Sequence, residues 1–185
     1  MVKEYPILTF KDSQQWRKWL SANYATVDGI WLQIYKKGSA IETVTYHEAL
    51  DEALCFGWID GQKRSYDEVS FLQKFTPRRK RSMWSERNIE HVHRLIEQGK
   101  MKPSGLAEIE AAKQDGRWDR AYASQSNMTI PDDFIKRLQK NKKAYTKFKT
   151  LSKSELYAIY FKLQSTKNAE TKERRIAKII ADLEG

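Results

Sequence analysis

The sequence has few of the residues that build covalent or metal-based frameworks. It holds one cysteine and three histidines among 185 residues, and one cysteine excludes an internal disulfide framework because each bridge requires two. No segment approaches the roughly 20 apolar residues of a membrane-spanning helix. The N-terminal stretch MVKEYPILTF also lacks the apolar segment of a signal peptide. These absences predict a cytoplasmic protein without a membrane span.

The chain does contain enough apolar and aromatic residues for a packed core. Hydrophobic residues make up 40% of the sequence and aromatic residues 12%, which excludes a disordered chain. The length suits one domain, or one domain with a helical appendage. The net charge of +10 is uneven, because residues 1–60 hold 6 basic and 8 acidic side chains and residues 61–185 hold 28 and 16. An anionic partner should prefer the second part, although many of these lysines are expected to serve solubility.

The strongest local signals lie within residues 45–84. Thr45 and Glu48 have the spacing of a capping box, in which each side chain accepts a hydrogen bond from a backbone N–H of the first turn. Apolar residues then recur at helical spacing. The pattern predicts a helix from about Tyr46 to Phe56 that ends at Gly57.

Segments with a two-residue period predict a small sheet. Polarity alternates over Gly29 to Lys37 and over Val69 to Thr76, and a short strand is predicted at Lys63 to Tyr66 after a hairpin turn at Asp60-Gly61. Strands joined in this way predict an antiparallel sheet with the capped helix packed across it. The predicted fold class is therefore α+β, a small antiparallel sheet packed with helices and followed by a C-terminal helical subdomain.

Helices are predicted for most of the remaining chain. The apolar rows of the two central helices are Ile89, Val92 and Ile96, and Leu106, Ile109 and Ala112. A second capping box, Ser152 with Glu155, begins one of the C-terminal helices. Residues 123–130 are rich in polar side chains and are interpreted as a linker. The predicted organisation is an α+β core domain over 1–122, this linker, and a C-terminal helical subdomain over 131–185 packed on the core.

Few side chains suit metal binding or catalysis. The nitrogen and sulfur donors are His47, His91, His93 and Cys55. His91 and His93 are two apart on a predicted helix and therefore project from different faces. Cys55 lies in the last turn of its helix, where the dipole disfavours a thiolate, so it is expected to be a buried packing residue. The adjacent carboxylates Asp51 and Glu52 should diverge. We therefore predict no metal site, no cofactor and no catalytic residue.

Cations and aromatic rings collect at the predicted loop and strand ends. Arginine forks bind carboxylates and phosphates, and indole rings stack on flat or cationic groups. The candidate ligand-binding residues are Trp58, Asp60, Arg64, Lys74, Arg78, Arg79, Trp84, Arg117 and Trp118. A structural role is the alternative, in which buried tryptophans and Arg to Asp pairs, with Asp60 and Asp119 as acceptors, fix the loops.

Five segments of the chain are long and distinctive. They read EALDEALCFGWIDG (48–61), FTPRRKRSMWS (75–85), GKMKPSGL (99–106), AKQDGRWDRAY (112–122) and NAETKERRIAKIIADLEG (168–185). Together they resemble the bacterial YdeI/OmpD-associated family, also called bacteriocin-protection proteins, over nearly the whole chain. The resemblance implies a small α+β domain associated with resistance to antimicrobial peptides, and it implies no established reaction or cofactor. The family pattern leads us to expect a tryptophan where Tyr160 or Phe161 stands.

Three functions remain open at this point. The first is a noncatalytic module that binds a small anionic ligand or a peptide, in keeping with the resemblance to peptide-resistance proteins. The second is nucleic-acid binding, favoured by the basic surplus and by the RRKR run beside aromatic residues, although no helix-turn-helix or RRM pattern is present. The third is an enzyme on a small anionic substrate, for which the sequence offers no recognisable nucleophile or base. We rank them in this order.

Overall fold

The computed structural model describes residues 4–166 and 168–185, which divide between two units. The first unit extends to Ser82 and includes Asn88–Asp115, and the second joins Met83–Arg87 to Gly116–Gly185. The domain boundaries predicted at residues 122 and 130 remain a prediction. The α+β class is confirmed, because one sheet and a set of helices make up the described residues.

The first unit is a four-stranded sheet with helices. Its elements are β1 (Ile7–Leu8), α1 (Ser13–Asn23), β2 (Ile30–Tyr35), α2 (Tyr46–Cys55), β3 (Trp58–Ser65), β4 (Ser70–Pro77), α3 (Glu86–Glu97), whose first two residues belong to the second unit, and α4 (Pro103–Gln114). The strand order is β1-β2-β4-β3. β2, β4 and β3 pair antiparallel as predicted, whereas β1 pairs parallel to β2. The sheet is therefore mixed. The sequence did not predict β1, because two residues are too few to show an alternating pattern.

The predicted capping box begins α2. The Thr45 side chain accepts a hydrogen bond from the Glu48 N–H, and the Glu48 carboxylate accepts one from the Thr45 N–H. Gly57 follows the helix with φ +79°, and a Cβ at this position would lie 3.1 Å from the backbone oxygen of Ser104. A glycine therefore ends the helix for two reasons, backbone conformation and close packing.

The hairpin turn predicted at Asp60-Gly61 is wrong. β3 runs through both residues, and its pairing with β4 shifts register between Asp60 and Lys63. The side-chain amide of Gln73 donates to the Gly61 carbonyl at 2.9 Å, so β4 satisfies a backbone group at the irregularity. Pairing along the sheet outweighs the local preference for a turn.

The turn between β3 and β4 lies instead at residues 66–69. Asp67 Oδ1 accepts hydrogen bonds from the Ser70 hydroxyl at 2.8 Å and from the Val69 N–H at 2.9 Å. The bond from the Ser70 side chain is the main cause that holds the pKa of Asp67 below its ordinary value. An aspartate that bonds to the backbone two residues later is a common way to form such a turn.

The fully buried Trp16 joins α1 and α2 to one face of the sheet, which we call the inner face. Its ring centre lies 5.7 Å from that of Phe75 in β4 and 6.3 Å from that of Trp58 in β3. Its indole Nε1 donates to the Ala49 carbonyl of α2 at 3.0 Å. The residues of β2 predicted to alternate are buried on this face at Ile30, Leu32 and Ile34.

Two predicted apolar rows are partly wrong. Ile96 of α3 is 44% exposed and Leu106 of α4 is 42% exposed. The buried residues are Asn88, Val92 and Leu95 in α3 and Gly105, Ile109 and Ala112 in α4. α4 passes so close to the end of α2 that a Cβ at Gly105 would lie 2.8 Å from the Leu54 carbonyl oxygen. Available space, rather than polarity, decides which residue faces inward there.

The second unit is helical. Its described helices are α5 (Asp132–Leu138), α6 (Lys142–Phe148), α7 (Lys153–Gln164) and α8 (Ala169–Glu184). The capping box of Ser152 and Glu155 at α7 is confirmed. The core of these helices consists of Phe134, Leu138, Ala144, Ile159, Leu163, Ile176 and Ile179. Among the helices described in the two units, none combines the length and apolar character needed to cross a membrane.

Candidate functional site

The structure distributes the nine predicted ligand-binding residues over four places. They lie on the inner face of the sheet (Trp58, Asp60), on its opposite face (Arg64, Lys74), directly after β4 (Arg78, Arg79), and in the second unit (Trp84, Arg117, Trp118). Each place has a different environment.

Trp58 and Asp60 are part of the packing beneath α1 and α2. Trp58 is fully buried, and its indole Nε1 donates to the Tyr24 carbonyl at 3.0 Å. Asp60 accepts a hydrogen bond from the Tyr46 hydroxyl at 2.9 Å, which links β3 to the start of α2. These contacts support the structural alternative for both residues, with a tyrosine hydroxyl as the donor to Asp60.

The two arginines after β4 differ sharply in exposure. Arg78 is buried, and its backbone N–H donates to the Gly57 carbonyl at 3.0 Å. Arg79 is exposed, and its backbone N–H donates to the Ser82 hydroxyl at 3.0 Å. The backbone of this corner is thus fixed by hydrogen bonds, and the Arg79 side chain is the one that faces solvent.

Trp84 and Trp118 pack together in the second unit, which also contains Arg117. The Trp84 and Trp118 ring centres are 5.1 Å apart, and Trp84 is fully buried. The Trp84 carbonyl accepts a hydrogen bond from the Tyr122 N–H at 3.0 Å. Arg117 is buried, whereas the predicted acceptor Asp119 is exposed. Burial of this kind favours a structural role for Trp84 and Arg117.

The outer face of the sheet brings two of the predicted cations together with two rings. The Arg64 guanidinium carbon lies 4.2 Å from the centre of the Trp31 ring. The Lys74 ammonium lies 4.3 Å from the centre of the Tyr5 ring and 5.8 Å from that of Trp31. We call these four residues, Tyr5, Trp31, Arg64 and Lys74, the outer-face cluster.

Strand register produces the outer-face cluster. Trp31 of β2 is the direct partner of Lys74 in β4, and Arg64 of β3 is the partner of Leu72. Residues two apart on a strand project to the same side of a sheet, so Lys74 and Leu72 share a face, and Arg64 lies on it with them. Phe75, one residue from Lys74, faces α1 and α2 instead.

Contact with the rings gives the two cations a restricted position. A cation over an aromatic ring gains about 0.5–1 kcal/mol at an exposed site. Lysine and arginine side chains otherwise lose up to about 2 kcal/mol of rotamer freedom when they are ordered. Arg64 and Lys74 are already held near Trp31, so an anion that binds them orders them at a smaller cost.

The sequence prediction missed Tyr5 and Trp31. The alternation in β2 does place Trp31 opposite the buried Ile30 and Leu32, so its outward direction was available as a signal. Its neighbours across the sheet depend on the register between β2 and β4, which no local pattern gives. Tyr5 precedes β1 and carries no periodic signal.

Cys55 is fully buried, which confirms its predicted packing position. Burial raises the pKa of its thiol to about 11. The thiol therefore remains protonated at neutral pH, and the thiolate is the reactive form of cysteine.

Asp51 and Glu52 diverge, as predicted for adjacent helical residues. Asp51 Oδ1 lies 2.7 Å from His91 Nδ1 and 2.7 Å from Arg94 Nη2, whereas Glu52 accepts a hydrogen bond from Arg17 of α1. The two carboxylates thus join α2 to α3 and to α1. In residues 4–166 and 168–185, no group of three or more His, Cys, Asp or Glu side chains is placed to hold a metal ion.

Two family models match separate parts of the chain. Residues 8–108, more than half of its length, match a family described as Domain of unknown function (DUF8412). Residues 127–185 match a family described as Bacteriocin-protection, YdeI or OmpD-Associated. The chain belongs to the DUF8412 family, and its residues 127–185 are similar to the YdeI/OmpD-associated family. No curated protein and no solved structure matches it.

The YdeI/OmpD-associated match lies in the helical second unit. The resemblance was expected over nearly the whole chain, and the family is confirmed on residues 127–185. The motifs between 48 and 106 fall instead within the DUF8412 match. Three members of the outer-face cluster, Trp31, Arg64 and Lys74, lie within that first match, whose description names no function.

Proposed function

We propose that this protein is a noncatalytic binding module for an anionic ligand, with the outer-face cluster as its binding surface. The observation that carries the proposal is the position of Arg64 and Lys74 at 4.2 and 5.8 Å from the centre of one indole ring, that of Trp31. Two cations held beside one ring attract a carboxylate or phosphate more strongly than either cation alone. The arginine fork adds a preferred direction of approach.

An acidic peptide is the ligand class that suits this surface best. Ile7, the partner of Trp31 across β1 and β2, is 39% exposed, so apolar surface lies next to the cations. A peptide offers carboxylates and apolar side chains along one extended segment, and both kinds of group have a counterpart here. Protection against bacteriocins, the role named by the matched family, is the biological context we propose for this binding.

The proposal is tested by fluorescence anisotropy with a labelled decapeptide of alternating glutamate and valine. Arg64→Ala and Lys74→Ala should each weaken binding about tenfold, the effect of losing ~1.4 kcal/mol of charge-assisted contact. Lys63→Ala is the matched control. Lys63 lies 4.1 Å over the Phe71 ring, and it projects to the other side of β3 because it is adjacent to Arg64.

The control separates a defined surface from general charge attraction. If the outer-face cluster binds the peptide, Lys63→Ala should change the affinity by less than about twofold, as expected for an exposed charge outside the site. Each of the three variants removes one positive charge. Equal losses of affinity would therefore indicate general charge attraction and would contradict the proposal.

Nucleic-acid binding is the second candidate, favoured by the charge of the second unit. That unit holds 17 basic and 9 acidic side chains, whereas the first holds 17 and 15. Phosphate contacts release counterions, so a labelled oligothymidine bound in this way should lose affinity by orders of magnitude between about 50 and 200 mM salt. Oligothymidine binding that survives this salt range and fails in Arg64→Ala would shift the assignment of the outer-face cluster to single-stranded nucleic acid.

A further inference from the structure

A separate cleft lies between α7 and α8 in the second unit. Its volume is about 360 Å³, which falls at the small end of the roughly 300–1,000 Å³ found for ligand pockets. Three cations line it, Lys162 from α7 and Arg175 and Lys178 from α8, together with the carboxylate of Asp182. We call it the α7–α8 cleft. Its balance of charge favours an anion.

Arg175 is fixed in the cleft by the protein itself. Its Nη1 donates to the Lys162 carbonyl at 2.7 Å, to Thr166 Oγ1 at 2.6 Å and to Ser165 Oγ at 3.2 Å. These bonds join α8 to the C-terminal end of α7. The guanidinium is therefore held in place before any ligand arrives, which lowers the entropic cost of binding.

The hydrogen bonds that fix Arg175 use one of the three nitrogen atoms of its guanidinium group. A guanidinium carries five N–H groups in a planar fork, and Nη1 supplies two of them. Within the part of the chain that the structure describes, the hydrogen bonds that hold Arg175 all use Nη1. Nε and Nη2 thus provide an adjacent pair of donors, which matches the two oxygens of a carboxylate or phosphate.

Apolar surface lies next to these donors. Phe161 and Ile179 both line the cleft, and Phe161 is 37% exposed, an unusual degree for a large aromatic side chain. Its ring meets that of Tyr122 edge to face, with centres 5.0 Å apart. This contact orients the Phe161 ring, so a flat group can pack against a fixed surface.

Helical spacing explains how one short segment supplies most of the cleft. Arg175, Lys178, Ile179 and Asp182 follow the i, i+3, i+4, i+7 pattern that places residues on one face of α8. From the sequence alone, this face is indistinguishable from an ordinary solvated surface. The fixed arginine and the exposed ring become apparent only when α7 lies beside it.

We infer that the α7–α8 cleft binds a small molecule in which a carboxylate or phosphate is joined to a flat apolar ring. The anionic group accepts hydrogen bonds from Nε and Nη2 of Arg175, and Lys162 and Lys178 add positive charge. The ring packs against Phe161 and Ile179. The site belongs to a different unit from the outer-face cluster and does not rest on the function proposed for it.

The test is an NMR titration of the full-length, ¹⁵N-labelled chain with phenyl phosphate. Inorganic phosphate and phenol, the two halves of this probe, are titrated separately, and benzoate replaces the phosphate by a carboxylate. Phenyl phosphate or benzoate should bind at least about tenfold more tightly than either half, because one molecule makes both contacts. The shifted amides should lie in α7 and α8, and Arg64→Ala should leave this binding unchanged. The stronger of the two anions identifies the head group.

The neighbouring arginine provides a matched control. Arg175→Lys keeps the charge but loses the fork and should weaken phenyl phosphate about tenfold. Arg174→Lys makes the same chemical change next to it, at a residue whose Nη2 donates to Thr171 within α8, and should change the affinity by less than about twofold.

A second variant guards against a structural effect of Arg175→Lys on the helices. Phe161→Leu leaves every hydrogen bond of Arg175 in place, and it should weaken phenyl phosphate while leaving inorganic phosphate unaffected. Equal weakening by Arg174→Lys and Arg175→Lys would overturn the inference, as would unchanged binding in Phe161→Leu. Absence of any saturable shift with phenyl phosphate and benzoate in the folded protein would overturn it as well.

Discussion

Tyr160 is held in place through its hydroxyl oxygen, a hydrogen-bond acceptor that a tryptophan side chain lacks. Its hydroxyl accepts a hydrogen bond from the Ala123 N–H at 2.8 Å, and both residues are buried. The family resemblance led us to expect a tryptophan at Tyr160 or Phe161. An indole nitrogen is a donor only, so a tryptophan at position 160 would leave the Ala123 N–H without this acceptor.

Tyr160→Phe should lower the free energy of unfolding by about 1–3 kcal/mol, because a buried N–H then loses its acceptor. Urea denaturation of the full chain measures the change. Tyr157→Phe is the matched control, since the Tyr157 hydroxyl is half-buried and donates to the Ala123 carbonyl at the longer distance of 3.3 Å. A loss in Tyr157→Phe that equals or exceeds the loss in Tyr160→Phe would contradict this account.

The Cys55 thiol should reduce stability at alkaline pH. Its pKa rises from an ordinary value of 9.0 to about 11, chiefly because it is buried. Below pH 9 the folded and unfolded states both hold the proton, so the stabilising difference is fully present. As the pH rises from 9 towards 11, the unfolded state releases the proton first and unfolding becomes more favourable. The loss amounts to on the order of 2 kcal/mol.

This pH dependence is measured by chemical denaturation of the wild type and of Cys55→Ala at a series of pH values from about 8 to 11. The variant starts from a lower stability because it leaves a small cavity. Its stability should then fall less steeply than that of the wild type. If the stability of the two proteins fell in parallel with rising pH, the prediction would be contradicted, because the Cys55 thiol would then contribute nothing to the pH dependence.

At the scale of elements, the crossing of α4 over the end of α2 depends on a glycine. The Lys102 N–H donates to the Cys55 carbonyl at 3.0 Å, and Pro103 begins α4 immediately afterwards. Gly105 then lies against the last carbonyl groups of α2. The GKMKPSGL segment thus carries a packing requirement at Gly105, which accounts for this glycine without reference to a ligand.

Gly105→Ala should destabilise the first unit by about 1–3 kcal/mol, the usual cost of overpacking. The result is diagnostic because alanine in a helix is otherwise favoured over glycine by about 1 kcal/mol. Gly61→Ala is the control, since its Cβ would lie 3.7 Å from the Lys74 Cβ, an ordinary contact. Thermal unfolding should show a clear fall in Tm for Gly105→Ala and little change for Gly61→Ala, and equal shifts would contradict the packing argument.

At the scale of the whole molecule, two buried tryptophans of the predicted site stabilise different units. Trp58 packs against Trp16 and Trp19 in the first unit. Trp84 packs against Trp118 in the second, although the segment between β4 and Ser82 that precedes it belongs to the first. The second unit is therefore built from two separate stretches of the chain.

Hydrogen exchange of the two alanine variants should distinguish the units. Replacement of a buried tryptophan by alanine costs about 3–5 kcal/mol. Trp58→Ala should therefore accelerate exchange mainly within residues 4–82, and Trp84→Ala mainly within 116–166 and 168–185. Each variant serves as the control for the other. Faster exchange of the first unit in Trp84→Ala than in Trp58→Ala would contradict the division.

Several structural features of this protein are determined by sequence signals only a few residues long. The capping boxes at Thr45 and Ser152, the alternation in β2 and the glycine that ends α2 each depend on near neighbours, so the sequence alone was sufficient to predict them. Arg64 and Lys74 were selected from the sequence as candidate ligand contacts, and that role stays a prediction. The family resemblance rested on contiguous motifs and is confirmed in the C-terminal part.

The tertiary structure decided everything that depends on partners distant in the chain. The register of β2 on β4 selected Trp31 as the ring beside Lys74, and pairing along β3 overrode the turn signal at Asp60-Gly61. Close packing of α2 and α4 placed Gly105 inward, and α7 beside α8 turned Arg175 into a fixed donor. Such contacts are set by space and geometry between elements, which no local pattern of polarity encodes.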